Sequence, residues 1–287
     1  MAVYKRGYQR YRGPLRGYWA RLFVLPRFAW ERLFQQRLVV ILMIVALFWP
    51  IGCACYIYLA NHLELLQGLG GNATKNFISV NGKFFLVFMN VQSVFCLLLA
   101  ALAGPGLIAP DLANNALPLY FSRPMTRAEY VGARLLVLAG LLSMVTLIPG
   151  LLLLVMQTGM AGLSWLWDNW NLAAGVLGGF VLWIALVSLV ALACSAYVKW
   201  RIIAGALVLG FFFIAAGLAE ITNQILRVDW AGMFNPARAM YTVWCWMLEV
   251  DPPRGLGASE CAFALVCLAG LLLVILERKL RPVEVIS

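Results

Sequence analysis

The chain predicts an all-α membrane protein: six transmembrane helices, an N-terminal interfacial amphipathic helix, and a long outer segment before the last span. Three observations carry this expectation. Hydrophobic residues make up 63% of the chain and charged residues 12%, about half the charged share of a soluble protein, and the mean hydropathy is +0.87. Apolar runs near bilayer length, roughly 20 residues each, recur six times. Lys and Arg fall mostly in alternate connections between those runs.

The runs are approximately Leu38–Ala60, Phe84–Ile108, Leu135–Gln157, Leu172–Val198, Ile202–Glu220 and Cys261–Leu276. The last is short, and Gly257, Ala258 and Ser259 can extend it. A backbone in lipid must satisfy its own hydrogen bonds, so these runs are helices. Residues 1–37 then form a basic tail with an interfacial helix, 38–276 one transmembrane domain, and 277–287 a C-terminal tail. No internal repeat or low-complexity segment is evident.

Orientation follows from the positive-inside rule. One side carries 17 of the 22 Lys and Arg: nine before the first run, Arg123, Arg127 and Arg134 in the 109–134 loop, Lys199 and Arg201, and Arg278, Lys279 and Arg281. The other carries Lys75, Lys83, Arg227, Arg238 and Arg254. Both termini and the 109–134 loop are therefore expected in the cytoplasm, at the cell (inner) membrane. The formal net charge of +10 points to anionic lipid rather than nucleic acid, because so much of it is juxtamembrane.

At the N-terminus, Pro26 to Arg37 reads as a short helix starting at its proline, with Trp30, Leu33 and Phe34 on one face and Arg27 and Glu31 off it. Such a helix lies on the inner leaflet. The rival reading is a plain basic tail. Met1–Gly17 reads as disordered or headgroup-bound. No cleavable signal peptide is visible, since the first apolar run follows a long charged lead and is too long; the Arg-rich, acid-poor start also resembles a mitochondrial presequence.

The outer segment, Ile221–Ser259, interleaves Trp230, Phe234, Tyr241, Trp244 and Trp246 with Pro236, Pro252 and Pro253. It predicts one or two short helices on, or dipping into, the outer leaflet. The seven cysteines lie mostly in apolar runs, where Cys acts as a small hydrophobe. A Cys245–Cys261 disulfide is open on position alone.

Catalytic signatures are scarce. The chain has no P-loop sequence, and its one histidine, His62, rules out His-based metal clusters and bis-histidine haem ligation. No metal site and no cofactor are expected in this chain. Asn235-Pro-Ala237 matches the aquaporin tripeptide, which needs two copies. Asn72-Ala-Thr74 is a glycosylation sequon that matters only in a eukaryotic secretory setting.

Polar residues within the runs are costly and so informative. Asn90 and Gln92 sit early in the second run and Glu220 near the end of the fifth. Each is a candidate for a transport pathway. The plainer readings are helix–helix hydrogen bonds for the amides and a boundary position for Glu220.

The 109–134 loop is the richest stretch. Thr126-Arg-Ala-Glu129 is a capping box that starts the third span, and Pro124 prevents an earlier start. Pro110 and Asp111 read as opening a short helix, with the carboxylate at its positive end, that stops before Pro118. The run Gly104-x-Gly-x-Ile-Ala-x-Asp111, then Leu117-Pro-Leu-Tyr-x-Ser-Arg-Pro-x-Thr-Arg-x-Glu-Tyr130 and Arg134, resembles the cytoplasmic loop of ABC-2 type permeases, in particular the NosY-like six-span group of bacterial ABC exporters.

That resemblance implies a permease subunit that moves a substrate using ATP hydrolysed by a separate P-loop ATPase, where the ATP and Mg would be bound. It implies pairing with a second permease, as homo- or heterodimer. It places Asp111, Asn115, Ser122, Arg123, Arg127 and Glu129 in or beside a coupling helix docked on the ATPase. The substrate is expected to be amphiphilic. Two rival classes are a membrane-embedded lipid-modifying enzyme, against which the scarcity of His and clustered acids counts, and an ion-coupled secondary transporter.

Overall fold

The computed structural model describes residues 18–62, 80–114, 126–198, 200–253 and 255–279, and none of them lies in a strand. The helices are α1 (Tyr18–Phe34), α2 (Arg37–Asn61), α3 (Gly82–Ala103), α4 (Pro105–Ala113), α5 (Arg127–Val145), α6 (Leu147–Ala161), α7 (Leu163–Asp168), α8 (Trp170–Tyr197), α9 (Arg201–Leu226), α10 (Pro236–Met247) and α11 (Ala258–Lys279). A 3-10 turn at Trp230–Phe234 precedes α10. Six helical stretches are long and apolar enough to cross a membrane: Arg37–Asn61, Gly82–Asp111, Ala128–Ala161, Trp170–Tyr197, Arg201–Leu226 and Ala258–Lys279. They coincide with the six apolar runs.

The second and third stretches are each broken once. Gly104 separates α3 from α4 and Thr146 separates α5 from α6. In both, a proline lies just past the break, Pro105 or Pro149, and cannot donate to the ladder. The second stretch runs on through Pro110, so Asp111 does not open a helix as its sequence suggested. It lies in the last turn of α4 (Pro105–Ala113), because Pro105 takes the first helical position and Pro110 is carried inside.

The fourth span, α8, is the centre of the bundle. In its most apolar window 72% of residues are buried, against 22% for α2, α9 and α11. It touches α3, α4, α5, α6, α9, α10 and α11. This explains its near-continuous apolarity: a helix packed all round has no polar face to present.

Helix α1 differs from expectation at its start. It begins by Tyr18, and Pro26 is interior to it rather than at its first position. Its Ala29 and Leu33 are buried, whereas Phe34 is exposed. Trp30 fixes it to the third span by donating from Nε1 to the carbonyl of Val137 at 2.8 Å. The ring lies against Gly140, where an added Cβ would stand 2.4 Å from it. Arg27 and Glu31 pair at 3.5 Å on the exposed face.

At the end of the bundle away from the 109–134 loop, exposed Trp167 and Trp170 mark the boundary, as expected at a lipid–water interface. Between the fifth and sixth spans the chain forms the 3-10 turn and α10, which packs against α8, α9 and α11. Asn235 caps α10 with its side-chain oxygen, accepting from the amides of Ala237 and Arg238, and Pro236 occupies the first turn. The Asn-Pro-Ala tripeptide is thus a helix start. Trp244 is fully buried and donates to the carbonyl of Gly179 at 3.1 Å, which draws α10 into the bundle. Cys245 and Cys261 are buried free thiols, and burial pushes the Cys245 thiol up.

Candidate functional site

A set of polar contacts surrounds the point where the loop leaves the bundle. Pro105 has no N–H, so the carbonyl four residues earlier, Ala101, loses its ladder partner. The backbone of Gly205 packs directly on that oxygen; a Cβ there would come within 2.6 Å. Nearby, Ser195 Oγ accepts from the amides of Ile108 at 3.3 Å and Ala109 at 3.0 Å, and donates to the carbonyl of Pro105 at 3.2 Å. Arg201 donates to the carbonyl of Leu102 at 3.1 Å and also to Gln36 Oε1. The start of α4 is therefore held by α8 and α9, and through Gln36 by the α1–α2 joint.

The end of α4 is held by the third span. Tyr130 donates its hydroxyl to Asp111 Oδ2 at 2.7 Å, and Arg134 donates from Nη2 to the same oxygen. The guanidinium carbon lies 5.2 Å from the centre of the Tyr130 ring. Tyr130 is fully buried and Arg134 is 8% exposed. Asp111 sits at a helix C-terminus, the negative end, where a carboxylate is disfavoured. The arginine overrides that penalty and is itself tolerable in the interior only because it is paired.

The far root of the loop is the capping box. The Thr126 amide donates to Glu129 Oε2 at 2.8 Å, and the Glu129 amide to Thr126 Oγ1 at 3.3 Å. Of the six residues expected at a docking surface, Asp111 and Glu129 occupy the two roots. Arg127 is the first residue of α5, and Asn115, Ser122 and Arg123 lie outside the described residues. Sequence reasoning missed Tyr130 and Arg134 as a pair. Their spacing of four, which puts both on one helix face, was the available signal.

The intramembrane polar residues divide. Gln92 is fully buried and donates from Nε2 to the carbonyls of Ala46 at 3.2 Å and Val145 at 2.5 Å. Those are the acceptors that Pro50 and Pro149, each four residues on, leave without a ladder donor. One amide thus serves carbonyls freed by two prolines, one inside α2 and one at the α5–α6 junction, and its Oε1 makes no hydrogen bond. Gln92 is enclosed by its own bundle instead of lining an open path. Asn90 is on the exposed face of α3 with Val87 and Val94. Glu220 is exposed on α9, 3.7 Å from Arg238, and accepts from Gln224 at 3.3 Å.

Among the described residues no group of three His, Cys, Asp or Glu is placed to hold a metal ion. His62 stacks on Tyr58 at 4.3 Å and hydrogen-bonds its carbonyl at 3.0 Å. Compared with known proteins, the chain matches no family model and no curated protein.

Proposed function

We propose that this chain is the permease subunit of an ABC-2 type exporter, with both termini and the 109–134 loop in the cytoplasm and the loop docked on a separate P-loop ATPase. The observation that carries the reading is the mounting of the loop. Its entry is tied by named polar contacts, α4 to α8 and α5 and the end of α3 just before it to α9, and its exit is a closed capping box. A loop that only connects two spans needs no such bracing. One that receives force from another protein does, because a load applied to it must reach the spans without being lost in local bending.

The chain's chemistry supports the same division of labour. It contains no P-loop sequence, so ATP hydrolysis belongs to the partner. When the partner's two nucleotide sites close, the docked loops move, and α4 carries that displacement to α5 through Asp111 and Arg134 and to α8 through Ser195, while Arg201 links the α3 end to α9. The exposed Asn90 on α3 is the amide best placed to face a path between this chain and a second permease.

Affinity purification in mild detergent tests this. A P-loop ATPase subunit is expected to copurify with the wild-type chain. Arg123→Glu with Arg127→Glu should remove it. Copurification that survives the double substitution, or gradient-driven transport by the reconstituted chain with no ATPase, would overturn the reading.

A further inference from the structure

The third and sixth spans both lean on α8, and between their loop-side halves they leave a crevice of about 350 Å³. One wall is the α5 face Ala128, Gly132 and Leu135, at helical spacing; the other is Leu273, Leu276 and Glu277 of α11. Leu273 is 47% exposed, so the crevice opens sideways, toward lipid. It is apolar along its length and ends at one carboxylate. Glu277 forms no ion pair among the described residues.

From this geometry we infer that the crevice binds one amphiphile of the adjoining leaflet, with its chain between α5 and α11 and an ammonium head group at Glu277. The volume is at the small end of ligand sites and suits a single apolar chain rather than a bulky polycyclic body. The carboxylate decides the head group. This end of the chain is rich in Lys and Arg, which favour anionic lipid generally, whereas an acid at the mouth of an apolar slot favours a cation. Ethanolamine phospholipids have both parts.

The assignment deepens the exporter reading, since α5 begins at the capping box and would move with the loop. It rests on that reading only for its role in transport; binding itself needs no ATPase. The crevice can be closed without disturbing the bundle, because a Cβ added at Gly132 meets nothing within 4 Å. Gly132→Leu therefore grows a side chain into the slot.

The test uses the purified full chain alone in nanodiscs of phosphatidylglycerol, doped with a phosphatidylethanolamine or a phosphatidylglycerol probe carrying a diazirine in the first few carbons of one acyl chain, about one helical turn from the head group. Labelling on wild type should map to the Leu135 and Leu273 peptides and favour the ethanolamine probe. Gly132→Leu should abolish labelling there, and Glu277→Gln should keep it while erasing the head-group preference. Equal labelling by both probes on wild type means ordinary annular lipid and overturns the inference, as does labelling that Gly132→Leu leaves unchanged. Either failure leaves the ATPase copurification result untouched.

Discussion

Replacing Gln92 by leucine removes both donors that serve the carbonyls of Ala46 and Val145. Hydrogen bonds between membrane helices average about 0.6 kcal/mol and reach about 1.7, so two of them set a loss of about 1–3 kcal/mol. Leucine also removes the Oε1 that now lacks a partner, which relieves a buried acceptor and pulls the net toward the lower figure. The size alone would not prove the mechanism, but the coupling to Pro50 would. Pro50→Ala restores an amide that can bond Ala46, so Gln92→Leu should cost about half as much in the Pro50→Ala background, and least with Pro149→Ala as well. Proline removal shifts helix stability by itself, so the quantity to read is the interaction energy of the double-mutant cycle. Reversible unfolding in mixed micelles, followed by helical circular dichroism, measures it. Additive effects of Gln92→Leu and Pro50→Ala would refute the claim that one amide serves both freed carbonyls.

Other substitutions separate contacts that bear load from those that do not. Asp111→Asn leaves Arg134 buried without its counter-charge, a loss of about 3–5 kcal/mol; the retained Tyr130 hydrogen bond favours the low end, and thermal unfolding checks it. Gly140→Val drives a side chain into the Trp30 ring and should detach α1, read as faster proteolysis within residues 18–34 and a red-shifted tryptophan emission. Glu220→Gln should change stability by less than about 1 kcal/mol, because its partner Arg238 is 3.7 Å away and the carboxylate is 58% exposed. A large effect there would mean the pair is shielded from water in the working assembly.

The spans and the capping box were legible because each is a local pattern: a run of apolar residues, or Thr and Glu three apart. What prolines do was not local. Pro26, Pro105, Pro110 and Pro149 all occur in helices, and a proline can start a helix or be carried inside one. Which happens depends on whether another element supplies the missing partner. Pro105 begins α4 where Ser195, Arg201 and Gly205 are ready to serve the broken ladder, and those residues lie some 90 or more positions away. With Pro105 in that place, Pro110 is interior and Asp111 falls at the negative end of the helix, so its placement at a helix start had to fail. A shorter separation hid the Tyr130–Arg134 clamp, whose acceptor Asp111 lies 19 and 23 residues away, across the loop.

Set beside one another, three polar side chains of the spans, Gln92, Ser195 and Arg201, have a common employment. Gln92 bonds carbonyls freed by Pro50 and Pro149, and Ser195 and Arg201 bond the backbone around Pro105. Each sits in the apolar interior or at its edge because a broken helix in lipid must recover its hydrogen bonds from somewhere. Asn90 has no such work. Its side chain forms no hydrogen bond within the described residues, and it stands between exposed Val87 and Val94, two turns into α3. A primary amide facing hydrocarbon there is a cost with no local return. It is tolerable if that face meets water or a second polypeptide, so on the proposed exporter reading α3, flanked by the largely unburied α2 and α9, is the face against which a second permease would pack.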